Sequence, residues 1–451
     1  MKNIWIISFD GIVLSGIITE ALKLGAVLKE KGFHILLDIG YDIKTDKGNF
    51  GKPYAGLQRY FPRWVELART ADVHLLNDYN VDFLNCVFRA VNTSGPLKLK
   101  NPDLHKQIEN ISDVLSHSIC DCWRRENIDY IIVENGTLPE NVIFTKALYK
   151  AIDTYGREFK LKKFVIWRDH DLMWSSETAI QKYGTAPYYN AIKPTVSPFI
   201  HYVTLHDAAA SKMRQWAGSD IDLTVLPNTY KFKDCKDAGF VRPFLKIKDT
   251  DIILTRSTRL IPQKRIDRDI HLVSHLRQRF SAQNKEVYLL ILGDTKENIA
   301  CTSDLILLAD RLKITKNILF LGELPFTLDN SNNEKFSVET IILVSNAVSF
   351  LTSYDYDSYG NPIGEAISLG RCYLTTRYEY YDTVYGSQGY LAPVMEITKE
   401  QDGLPDETFI DDVYALLNAP ERMKAYAGFN FQTGKKHLSD RVLHKFCEFF
   451  Q

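Results

Sequence analysis

The chain has 451 residues, 45% hydrophobic and 25% charged, which suits an ordinary globular protein of about two domains. A formal net charge of -1 excludes a general electrostatic attraction to nucleic acid, and no run of about 18 uncharged apolar residues offers a membrane span. The seven cysteines are scattered, and the one close pair, Cys120 and Cys122, lacks the two-residue spacer of common zinc and redox motifs, so buried free thiols in a cytoplasmic protein are expected.

In chain order, IWIISF reads as a first core strand; it is too short, and too soon interrupted by Asp10, for the apolar core of a signal peptide. SGIITEALKLGAVLKEKGF follows as a helix with apolar residues at helical spacing, ending at Gly32, and HILLDIG as a strand. This is a βαβ opening. Gly16 lies at the loop-to-helix junction, where the missing side chain either admits a ligand's phosphate to the backbone or simply eases a turn. Residues 41 to 125 are less regular. Their stretch YDIKTDKGNFGKPYAGLQRYFPRW, rich in Gly, Pro, aromatic and basic residues, reads as a solvated, partly packed loop in preference to a peripheral membrane contact.

DYIIVENGTLPENVIFTKALYKAI then gives a strand, a turn with Glu134 and Asn135, and a helix with Pro139 near its start. KKFVIWRDHDLMWSS repeats the arrangement, its apolar strand delivering Arg168, Asp169, His170 and Asp171 to the sheet edge. A lone histidine is usually structural and Asp-x-Asp is a weak metal motif, but three charged residues crowd His170 at a strand end, which favours a functional site without a metal. After LTVLPN, residues 229 to 250 read as an interdomain linker. The second half opens with IILTRSTRLIPQKRIDRDIHLVSHLRQRF: a strand, a loop carrying Arg259 and Lys264 between Arg256 and Arg265, and a helix. A run of charge is commonly a solvated basic face.

Residues 347 to 376, AVSFLTSYDYDSYGNPIGEAISLGRCYLTT, are the stretch around which the rest is organised. A short strand crosses a polar turn with Gly360 and Pro362 into a short helix, so the turn lies where ligands bind in an open α/β sheet. Two carboxylates, Asp357 and Glu365, bracket it, and hydroxyl-rich ligands need such acceptors.

This segment resembles the acidic signature of retaining glycosyltransferases with the GT-B fold, in particular family four: acid, small, aromatic, glycine, four mostly apolar residues, Glu, Ala. Here it reads Asp357, Ser358, Tyr359, Gly360, Asn361, Pro362, Ile363, Gly364, Glu365, Ala366, with Asp in place of the first Glu. Arg259 and Lys264 are similar to that family's R-x4-K segment, LTVLPN to the end of its N-terminal domain, and RYEYYDTVYGSQGYLAPV to its continuation after the acidic motif.

The resemblance implies an α/β chain with two Rossmann-like domains facing across a cleft. Residues 1–228 would form the acceptor side, 229–425 the nucleotide-sugar-binding domain, and 426–451 a last helix returning to the first domain. It implies a retaining, metal-independent hexosyltransferase that needs no cofactor beyond its UDP- or GDP-hexose donor. Arg259 and Lys264, with N–H groups near Gly16, would neutralise the diphosphate, and Glu365 would accept from the nucleotide ribose. Asp357 and the turn at Gly360, Asn361 and Pro362 would orient the sugar. Gly322 and Leu324 would lie near the base, and His170 near the sugar or the reacting centre. Glu134, Asn135, Arg168, Asp169 and Asp171 would face the acceptor, a carbohydrate or a small phosphorylated acid. Two alternatives stay open: a sugar-nucleotide epimerase or phosphorylase on the same architecture, and a degenerate nucleotide-sugar-binding regulatory protein.

Overall fold

The structure is a computed structural model that describes residues 2–10, 16–41, 58, 61–71, 79–172, 186–232, 238–322, 324–325 and 336–450. Most of the aromatic and basic stretch from 41 to 64 lies outside the described residues. Strands form where β-branched and aromatic residues run without polar interruption, the pattern of a strand buried on both faces. Among the described residues the strands are β1 (Asn3–Ser8), β2 (His34–Ile39), β3 (Val65–Leu67), β4 (Ile128–Glu134), β5 (Val165–Asp169), β6 (Ile200–Thr204), β7 (Leu223–Val225), β8 (Ile252–Ser257), β9 (Val287–Leu292), β10 (Ile318–Gly322), β11 (Ala347–Phe350), β12 (Cys372–Thr376) and β13 (Val394–Met395), the central ones closest to that pattern.

The chain divides into two units, Met1–Asn228 with Arg441–Gln451, and Thr229–Asp440. Unit 1 holds a seven-stranded sheet in the order β3-β2-β1-β4-β5-β6-β7, unit 2 a six-stranded one in the order β10-β9-β8-β11-β12-β13. All pairings are parallel. In each sheet the strand order reverses once, between β1 and β4 and between β8 and β11. Loops leaving the carboxyl ends of those pairs diverge to opposite faces and open a crevice.

Alternation along β1 shows how unit 1 is filled: Trp5 and Ile7 enter one core with Val133 and Trp167, Ile4 and Ile6 the other with Ile132 and Ile166. Helix Pro102–Arg125 serves the first core through Leu104, Ile108, Ile111, Leu115, Ile119 and Trp123, and the side chain of its N-cap Asn101 accepts from the Leu104 N–H. The sequence reading leaves this helix irregular, because His, Lys, Glu and Ser dilute a correctly spaced apolar stripe. The second core is closed by helix Gly16–Glu30 and by Leu443, Cys447 and Phe450 from the chain's last segment. In unit 2, helix Pro420–His437 packs on helix Asn361–Ser368, fitting through Gly434, where a Cβ would come within 2.5 Å of Ile367. Among the described residues no helix is long and apolar enough to cross a membrane.

Candidate functional site

In unit 2 the two loops at the switch point carry the charged residues singled out from sequence. The loop after β8 contains the turn Pro262–Lys264, and the loop after β11 runs through Asp357 to helix Asn361–Ser368. They are laced together by main chain: the Ser353 N–H and Oγ both donate to the Gln263 carbonyl, at 3.2 and 2.8 Å. Arg256, fully buried, donates to the carbonyls of Lys264 at 2.6 Å and Ser349 at 3.0 Å, and its guanidinium lies 5.1 Å from the Phe350 ring centroid. Gly293 makes room for the first loop, since a Cβ there would stand 2.1 Å from the Thr258 carbonyl.

On this frame Lys264 Nζ meets Asp357 Oδ1 at 2.5 Å, with side chains only 12% and 15% exposed. The other Asp357 oxygen accepts from Thr352 Oγ1. Burial pulls the Lys264 pKa below the usual lysine value, and Asp357 opposes that fall. The ammonium also lies 4.8 Å from the Tyr356 ring centroid, a cation–π placement. Arg259 is nearby but engages Glu297, its Nε donating to Oε1 at 2.6 Å.

Gly360 precedes helix Asn361–Ser368 with φ of 87°, the left-handed region. The Tyr378 hydroxyl donates to the Tyr359 carbonyl at 2.6 Å, Tyr385 to the Gly360 carbonyl at 3.0 Å, and Tyr230 to Asn361 Oδ1 at 2.8 Å. Pro362, in the first helical turn, and Glu365, just beyond it, are half-buried. Gly322 ends β10 and Leu324 follows it, on the outer strand of that side of the sheet.

Unit 1 gathers its candidates at the carboxyl ends of β4 and β5. Arg168 Nε donates to Glu134 Oε2 at 2.9 Å, and His170 Nε2 lies 2.8 Å from the same oxygen, all three side chains at most 5% exposed. Burial alone would raise the Glu134 pKa, yet Arg168 and His170 hold it below the usual carboxylate value. Asn135, with φ of 56°, turns its Oδ1 to accept from the His170 N–H at 2.7 Å and the Asp171 N–H at 3.4 Å. Strand alternation puts Asp169 on the opposite face, where its Oδ1 accepts from the Thr137 N–H at 3.4 Å and burial pushes its pKa up to about 7. Gly16 is the exposed first residue of helix Gly16–Glu30.

The structure therefore joins Lys264 directly to Asp357, and Glu134 to Arg168 and His170, while Asp169 lies apart from that trio. Of the four cations in β8 and the loop after it, Arg256 lies in the strand and is core, and Arg265 is tied to Asp267 and Asp402, each at 3.0 Å. Sequence reasoning missed Thr352, Tyr356, Tyr230, Tyr378 and Tyr385. The tyrosine-rich RYEYYDTVYGSQGY was a visible signal for the last two; nothing in the sequence pairs Tyr230 with Asn361. Among the described residues no three carboxylate, imidazole or thiol groups converge as a metal site would require.

Two parallel-sheet Rossmann-like units of seven and six strands are the architecture of GT-B glycosyltransferases. No protein-family model matches the chain, and no curated protein matches its sequence. Among solved structures, a glycosyltransferase from Rickettsia africae ESF-5 is similar with a TM-score of 0.61 at 12% identity, covering 100% of this chain and 97% of the other. Anabaena HepE in complex with UDP-glucose gives a TM-score of 0.57 at 12% identity, with 99% and 98% covered. A mutant of S. aureus TarM in complex with fondaparinux, alpha-GlcNAc-glycerol and UDP gives 0.58 at 12% identity, with 100% of both chains covered. At such identities the likeness is one of fold.

Proposed function

We propose that the chain is a retaining glycosyltransferase similar to family four, which moves a hexose from a UDP- or GDP-sugar to the hydroxyl of a carbohydrate or a small phosphorylated acid. The observation that carries this reading is the Lys264 ammonium, largely stripped of water at the switch point of the unit 2 sheet and balanced by one carboxylate. A departing diphosphate needs fixed positive charge that does not reorganise during the reaction. Lys264 and Arg259 supply it, each charge-assisted contact contributing roughly 1.5–3 kcal/mol.

In this reading residues 229–425 hold the donor. Glu365 accepts from the ribose, Asp357 and the turn at Gly360, Asn361 and Pro362 orient the sugar, and Gly322 and Leu324 line the base. Residues 1–228 serve the acceptor through Glu134, Asn135, Arg168, Asp169 and Asp171, with His170 near the sugar and Gly16 offering an N–H to the diphosphate. The two cations stand in for a divalent metal. Binding of UDP-glucose by HepE and of UDP by TarM supports the choice of donor class.

A thermal-shift panel of UDP, GDP and their hexose conjugates, with and without magnesium, is the direct test. One conjugate at a hundred times its Kd stabilises by about 2.7 kcal/mol. Lys264→Ala is expected to lower kcat/KM about 10- to 150-fold; a change within about threefold would sink the diphosphate role. A second reading, a nucleotide-sugar-binding protein without turnover, is favoured by the commitment of both Asp357 oxygens to Lys264 and Thr352. It requires that the selected conjugate bind and that no nucleoside diphosphate be released with any acceptor.

A further inference from the structure

The chain passes between its units twice, at Asn228/Thr229 and at Asp440/Arg441. Just inside unit 2 the two connections pair with each other through an isolated parallel bridge between Tyr230 and Ser439. The Tyr230 N–H donates to the Leu438 carbonyl at 2.7 Å, and the Asp440 N–H to the Tyr230 carbonyl at 3.3 Å. The side chain of Tyr230, a residue only 4% exposed, leaves this bridge for helix Asn361–Ser368. Its ring fills the notch at Gly364, where a Cβ would stand 2.2 Å from a ring carbon, and its hydroxyl donates to Asn361 Oδ1 at 2.8 Å.

A buried phenol usually finds a hydrogen-bond partner, so one such bond would be unremarked in a core. The placement here is more particular. Three phenols act on three successive residues, 359, 360 and 361, and two of them, Tyr378 and Tyr385, come from one nearby segment and bond to main-chain carbonyls. The third comes from the connection between the units and bonds to a side chain. With Oδ1 taken as acceptor for Tyr230, the Asn361 amide has a set orientation, and Nδ2 is its donor end.

We infer that Tyr230 is a positioning residue for the sugar-binding turn: its hydroxyl fixes the orientation of the Asn361 amide, and its ring seats the helix on the paired connections. The inference rests on the proposed donor site, because Asn361 contacts the sugar only in that reading. The turn and the connections then act as one body, so a change in the path of the chain at 229–231 or 438–440 reaches Asn361 directly.

Tyr230→Phe keeps the ring over Gly364 and removes only the hydroxyl. With the nucleotide selected by the thermal-shift panel, its Kd is expected to stay within about twofold of wild type, since Lys264, Arg259 and Glu365 are untouched, while kcat falls about tenfold. Asn361→Asp can still accept from Tyr230 but cannot donate; it is expected to lose a similar factor, and the double variant little more than either single one. Unchanged kcat in Tyr230→Phe, or fully additive losses, would overturn the assignment. Amide hydrogen exchange at residues 363–366 in the ligand-free chain reads the tether without any donor: faster exchange in Tyr230→Phe supports it, and equal exchange defeats it even if the chain transfers no sugar.

Discussion

Lys264 and Asp357 form a pair with little water around it, so neither charge can be removed without consequence for the other. Asp357→Asn leaves the ammonium without its counter-charge and is expected to destabilise unit 2 by roughly 1–3 kcal/mol. The same change frees Lys264 for a diphosphate, so the Kd for the selected nucleoside diphosphate should fall, by about tenfold, while turnover is lost. Calorimetric titration beside a product-release assay separates the two; weaker nucleotide binding would mean that the pair does not compete with the donor. In unit 1 one residue with a pH signature is Asp169, buried on the face away from His170 and with its pKa pushed up to about 7. An unfolded chain ionises this carboxyl near pH 3.9. Below that value both states are protonated and no penalty exists. Between about 4 and 7 the unfolded state has lost its proton and the folded state keeps it, so stability falls as pH rises, and the penalty is complete above about 7. Asp169→Asn removes the titration, so its melting temperature is expected to match wild type near pH 4 and exceed it at pH 8, by an amount worth a few kcal/mol. Equal melting curves at both pH values would show that the carboxyl is not buried in solution.

At the scale of one element, the turn before helix Asn361–Ser368 depends on Gly360. Its φ of 87° costs a residue with a Cβ about 1–2 kcal/mol, and that Cβ would stand 2.5 Å from the Tyr378 hydroxyl. Displacing the hydroxyl breaks its bond to the Tyr359 carbonyl and leaves a buried polar group unpaired, a further 1–3 kcal/mol or so. Gly360→Ala is therefore expected to destabilise unit 2 by roughly 2–5 kcal/mol, and adding Tyr378→Phe should cost less than the sum of the two changes, because the clash is then gone. Thermal unfolding of the two single variants and the double one checks this; simple additivity would contradict it. The sequence already announces this element. Runs such as IWIIS, VIWRD and VYLLIL read as doubly buried strands, and Gly and Pro beside them mark the turns, so the succession of strands along the chain and the place of the acidic turn are legible without coordinates. The partners of the charges are not. Lys264 and Asp357 are 93 positions apart, and Arg256 reads as one of a basic run although it is fully buried beneath the loop. Local spacing carries no information about which cation turns inward; the register of β8 against β11, set by the whole sheet, decides it.

At the scale of the molecule, unit 1 is completed by the far end of the chain. Leu443, Cys447 and Phe450 are 4%, 1% and 1% exposed, in one core with Ile4, Ile6 and Ile132. The Phe450 ring meets Phe33 and Tyr130 edge-on, at centroid distances of 6.3 and 5.1 Å. Fully burying a large apolar side chain contributes about 1.5–3 kcal/mol, so Leu443 and Phe450 alone supply roughly 3–6 kcal/mol. That is a sizeable part of the roughly 5–15 kcal/mol that holds a domain folded. Helix Pro420–His437 belongs instead to unit 2 and packs on helix Asn361–Ser368. Ending the chain after Asp440 thus removes core from unit 1 and leaves the unit 2 core intact. Differential scanning calorimetry of the shortened chain is expected to show a first transition well below the wild-type one and a second close to it. Hydrogen exchange should place the loss of protection in β1, β2 and β4, with β8 and β11 still protected. The selected nucleotide should raise the second transition and leave the first where it is, because Lys264, Arg259 and Glu365 all lie in the unit that keeps its core. A single transition at the wild-type temperature would mean that the last eleven residues contribute little to unit 1.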